Sequence, residues 1–247
     1  MHATVLIIVL ALCSYFTAVI SGLVGMAGGI VLLSIMTFFL PLKVIIPVHG
    51  LVQLVSNSYR TILLRSYVNR AIFKWFCVGL PAGAFLAIFV IKKIENESLP
   101  LFLVAMIILY AIFRPKKMPA LKIPIPAFAL IGLGVGFLGP LIGATGPFMA
   151  PFFLREDLSK EEIVASKAAV QTVGHLIKIP TFLYLGFAYF EYAPLIICMA
   201  LAVILGTRTG VYFLGKISQF SFNRIFKFVL FFAALRVLYK ATAPLLH

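Results

Sequence analysis

The sequence predicts an all-α protein: a multi-spanning membrane helical bundle of two related repeats, with eight or more transmembrane helices, two of them broken. Three observations lead there. Of 247 residues, 63% are hydrophobic and 11% charged, where a soluble domain is about 45–50% apolar and about a quarter charged. The apolar residues come in long uninterrupted runs. The second half repeats polar and glycine positions of the first at a fixed offset. A soluble fold of this length has too little polar surface for such a chain, and disorder has the opposite composition.

The runs cover about 3–40, 44–64, 71–91, 99–113, 125–154, 163–190, 192–214 and 222–239, where about 20 residues make one crossing. The first and fifth exceed one crossing, and both contain glycine breaks. Each is expected as a spanning helix followed by a half-helix, or as two short helices. The basic, proline-rich segment 114–124 reads as a linker between a first repeat, 1–113, and a second, 125–247.

The net charge of +14 sits mostly at run edges, as cytoplasmic anchoring requires, so it does not point to nucleic acid. Cys13, Cys77 and Cys198 lie singly in apolar runs and read as buried small hydrophobes. No charged residue precedes Lys43, so the first run is expected to be a retained helix.

A shift of 118 residues places Gly25 on Gly143, Gly28 on Gly146, Val52 on Val170, Gln53 on Gln171, Val55 on Val173 and Arg60 on Lys178. Duplicated halves with interrupted helices point to a central binding site in secondary transporters. The polar matches belong to a pattern. His49, Gln53, Asn57 and Arg60 are spaced to fall within about 80° of one helix face. Lys167, Gln171, His175 and Lys178 repeat the spacing. Polar groups in apolar runs belong in a bundle interior or a wet cavity. Helix-to-helix hydrogen bonding explains one such stripe, and a binding role explains the matched pair better. Arg60 has Arg65 and Arg70 nearby and can snorkel to the headgroups. Lys178 is isolated from other charges and is expected inside.

The glycine segments, Gly25, Gly28 and Gly29 in one half and Gly143, Thr145 and Gly146 in the other, free backbone N–H groups. At a helix start these donors and the dipole favour an anion. Gly79–Gly83 and Gly206–Gly210 read as packing contacts, and Arg208 between the latter is a candidate cavity residue. Enzyme motifs are missing, no metal or cofactor is implied, and every carboxylate lies near a run end. An interior with cations and amides and no carboxylate suits an anionic substrate.

The paired glycine segments, followed by His49-Gly50…Gln53…Asn57…Arg60 and Lys167-Ala168…Gln171…His175…Lys178, resemble the sulfite exporter TauE/SafE family over nearly the whole chain. Gly28-Gly29 and Gly146-Pro147 stand where the family commonly has three glycines. The resemblance implies a multi-pass inner-membrane carrier that exports sulfite or small organosulfonates, with no cofactor. The partners implied are a small anion and the bilayer, with proton coupling through His49 and His175 as an option. An anion channel, a permease for another small carboxylate or sulfur compound, and a scaffold are the alternatives.

Loop charges set the expected topology. The segments 60–74 and 114–122 are basic and belong in the cytoplasm, whereas the tip 186–192 lacks Lys and Arg and belongs outside. The repeats are then inverted, each broken run crosses twice, and ten crossings result. Parallel repeats would need eight.

Overall fold

The structure, a computed structural model, describes residues 3–24, 28–92, 123–153 and 157–213, with single positions beyond them. Those residues form nine α-helices and short 3-10 turns, with no strand among them. The linker to residue 122, Gly25 and the expected final run fall outside the described residues, apart from single positions.

Each half follows the same order. In the first, α1 (Ala3–Val24) is a long, uncharged helix, and α2 (Gly28–Met36) is short. They are followed by α3 (Leu42–Leu63) and α4 (Arg70–Ile91). In the second half, α5 (Phe128–Ile142) and the short α6 (Gly146–Phe153) come first. Then come α7 (Lys160–Leu176), α8 (Lys178–Tyr184) and α9 (Ala193–Phe213). The starts of α2 and α6, and of α3 and α7, are 118 residues apart. The starts of α4 and α9 are 123 apart.

Local chemistry sets these boundaries. Asn69 caps α4 by accepting from the Ala71 and Ile72 N–H groups. Ser159 and Glu162 form a capping box at the start of α7, which satisfies otherwise orphaned donors. α5 stops at Gly143, whose φ of 77° is a left-handed conformation natural to glycine. Both broken runs thus become a long helix followed by a short one. Eight or nine residues rise only about 12–14 Å, so the form found is the spanning helix followed by a half-helix, and the half-helix leads the chain back toward the end where the next long helix begins.

Helix directions follow from the contacts. In α1 and α9, Tyr15 O faces Gly206 and Val19 O faces Gly210, so the two run parallel. In α4 and α5, Ala129 O faces Gly79 and Leu133 O faces Gly83, again in parallel. A Cβ on any of these four glycines would collide with the facing carbonyl, so the backbones touch, as expected from their spacing. Between these pairs lie α3 and α7, which are antiparallel: His49 lies beside His175, while Thr61 reaches Thr172. The starts of α3 and α9 and the ends of α4 and α5 line one cavity. So α1, α3 and α9 run one way, and α4, α5 and α7 run the other.

Four helical stretches are long and apolar enough to cross a membrane: Thr4–Leu23, Arg70–Ile91, Ile125–Ile142 and Tyr189–Phe213. They form the outer layer. Ile8, Phe16, Phe85, Leu130, Leu201 and Leu205 stand exposed on them, a surface that suits lipid. Cys198 is exposed on this layer and Cys13 and Cys77 are half-buried, so the buried reading of the cysteines is corrected. Arg208 is exposed too and lines neither cavity described here.

Candidate functional site

The two polar helices carry the site because they are the inner ones. On α3 the stripe from His49 to Arg60 is buried throughout, and α7 meets it from the other side. The side chains converge on an enclosed cavity of about 20 Å³, room for about one water. From the first half, His49, Gln53, Asn57, Arg60 and Gly29 line it. From the second come Gln171, His175 and Gly146. Among the described residues no Asp or Glu lines it.

Both short helices begin at this cavity. Gly29 and Ile30 of the first turn of α2 line it, as does Gly146 at the start of α6. Their glycines allow the glutamines close. A Cβ on Gly29 would lie 3.2 Å from Gln53 Oε1, and one on Gly146 would lie 3.3 Å from Gln171 Nε2. Each helix start therefore faces an amide across a gap that only glycine leaves. Two positive dipole ends point at one small polar space.

Arg60 supplies a cation. It is 2% exposed, so it is interior and does not snorkel. Its Nη1 donates to Asn57 Oδ1 at 3.3 Å and its Nη2 to Ser56 Oγ at 3.5 Å. Its Nε is buried with no hydrogen-bond partner among the described residues. Such a buried guanidinium, without a carboxylate, is costly unless an anion comes to it. His49 joins α3 to the α2 start, with its Nε2 2.7 Å from Gly29 O. Its ring lies edge-on to that of His175, with centroids 6.0 Å apart.

The family model for "Sulfite exporter TauE/SafE" matches residues 10–237. The chain belongs to the sulfite exporter TauE/SafE family. No curated protein and no solved structure matches it. TauE/SafE is a family of membrane transporters, in keeping with the apolar spans around a polar centre.

Within this TauE/SafE chain the expected residues divide. Lys178 is 2% exposed and does not line the cavity. Its Nζ donates to Gly143 O at 2.6 Å and reaches His175 Nδ1 at 3.3 Å. A cation there also suits the carbonyl end of α5. Lys167 is 1% exposed and Thr145 is buried, and neither lines the cavity. Gly28 is a packing position, since a Cβ there would collide with Thr17 O and Ser21. Gly143 terminates α5. Sequence reasoning missed Ser21, Ile30 and Ala144, which line the cavity. It also missed Ser56, which links Arg60 to Thr207 with its Oγ 3.0 Å from Thr207 Oγ1. The small, common residue types of these four gave no signal in an apolar sequence.

Proposed function

We propose that the protein exports sulfite, or a similarly compact organosulfonate, through the cavity between α3 and α7, at the interface of two inverted repeats in the inner membrane. The observation that carries this is the donor set. Arg60, two glutamine amides and two helix starts surround one enclosed space that holds no carboxylate. A hydrated oxyanion leaving water needs donors from several directions, and charge-assisted bonds give most of the strength. Support for the inverted repeats comes from direction: α1 opposes α5, α3 opposes α7 and α4 opposes α9. The chain then crosses the membrane several times, and the family description, a sulfite exporter, supports the outward direction.

At about 20 Å³ the cavity must widen to admit sulfite, and a site that closes down when empty suits a carrier better than an open channel. Counterflow in proteoliposomes tests the reading. Vesicles loaded with unlabelled sulfite should accumulate labelled sulfite transiently. Absence of uptake with sulfite, sulfoacetate and taurine alike would remove the proposal.

A further inference from the structure

A second cavity, of about 830 Å³, opens at the end where α3 and α9 begin. It reaches the surface, since Lys43, Lys92, Tyr184 and Glu191 on its wall are exposed. Three elements run from this vestibule to the central cavity, in the same order. On α3, Ile46 lines the vestibule, and His49 and Gln53 line the central cavity, with Gly50 next to His49. At the end of α5, Pro140 and Leu141 line the vestibule and Ala144 the central cavity. From α7 into α8, His175 lines the central cavity and Phe182 the vestibule.

Lys178 occupies the layer between the two spaces: it falls between His175 and Phe182 along the chain, and its partner Gly143 falls between Leu141 and Ala144. Its stem passes between two glycines: a Cβ on Gly50 would lie 3.3 Å from its Cδ, and one on Gly139 would lie 3.2 Å from its Cε. Its ammonium closes on Gly143 O. At the other end the positions 118 residues away differ. Val164 and Leu64, the counterparts of Ile46 and Phe182, are packed in a buried apolar cluster with Ala165.

We propose that Lys178 is the gate between vestibule and site. The ammonium shuts the passage while it holds the Gly143 carbonyl. It opens the passage by leaving that carbonyl for an arriving oxyanion, which it passes to Arg60. Gly50 and Gly139 leave the stem room to move. This rests on the transport reading for its substrate, but the passage itself is tested without sulfite.

In a background with Cys13, Cys77 and Cys198 replaced by Ala, Ala144→Cys reports the central cavity and Ala188→Cys, exposed on the vestibule wall, the vestibule. The probe is the anionic 2-sulfonatoethyl methanethiosulfonate. Ala188→Cys should react readily in every background. Ala144→Cys should react slowly with Lys178 present and at least tenfold faster with Lys178→Ala. Equal rates at Ala144→Cys, or an unreactive Ala188→Cys, would overturn the gate. If Lys178→Ala does not fold, Gly50→Ala serves. By crowding the stem it should hold the gate shut and slow the Ala144→Cys reaction severalfold further, and an unchanged reaction rate overturns the gate. With the labelling pattern intact and sulfite counterflow absent, the gate stands and the substrate reading fails. In the intact carrier, Lys178→Ala should also abolish counterflow, because one access route can no longer close.

Discussion

Gln53 holds its amide against Gly29, with Oε1 3.2 Å from where a Cβ would stand, and so meets the first turn of α2 at the central cavity. Gln171 meets Gly146 in the same way from the opposite helix. Gln53→Ala and Gln171→Ala should each weaken sulfite binding by about 1.5–3 kcal/mol, the worth of one hydrogen bond to a charged group. Thermal shift against sulfite concentration reads this, because binding to the folded state raises its melting temperature with the logarithm of ligand excess. A loss from one variant alone would refute a site shared by both halves.

Arg60→Met should separate binding from stability. Losing a charge-assisted contact of about 1.5–3 kcal/mol weakens sulfite binding by about 10- to 150-fold. Removing a buried cation with no carboxylate leaves the ligand-free protein at least as stable. Lower ligand-free stability with unchanged affinity would make Arg60 a structural residue.

The touching backbones of the outer layer should be intolerant of a methyl group. Gly83→Ala and Gly206→Ala each place a Cβ against a carbonyl oxygen of the neighbouring helix. Each should cost about 1–3 kcal/mol, as overpacking does. Gly174→Ala is the comparison, since its Cβ would meet only Val135 Cγ1 at 3.4 Å and alanine favours the helix. Thermal denaturation in detergent should show the first two falling and the third holding.

The vestibule end should face away from the cytoplasm. Phe190, 93% exposed, stands at that end, beside Ala188 and Glu191 of the vestibule wall. Ser66 is exposed between Arg65 and Arg70 at the other end. In a cysteine-free background, an impermeant maleimide should label Phe190→Cys from outside and Ser66→Cys only from inside. The reverse pattern would place the vestibule in the cytoplasm.

The sequence by itself determined the membrane class, the two broken runs and the polar stripes, because each is a local property. Run length reads span length, glycine marks the breaks, and the helical period puts residues four apart on one face. His49, Gln53, Asn57 and Arg60 therefore reached the cavity as expected. The opposite stripe did not arrive whole. Gln171 and His175 line the cavity, while Lys167 and Lys178 do not. Arg60 and Lys178 hold the same place in the pattern, yet one lines the cavity and the other holds the end of α5. Only the tertiary structure decided this, because a side chain's partner depends on the direction and rotation of the neighbouring helix, which no spacing along one helix records. For the same reason Ser21, Ile30 and Ala144 gained their roles only when α1, α2 and the end of α5 met around one cavity, and Ser56 only when α9 brought Thr207 to it.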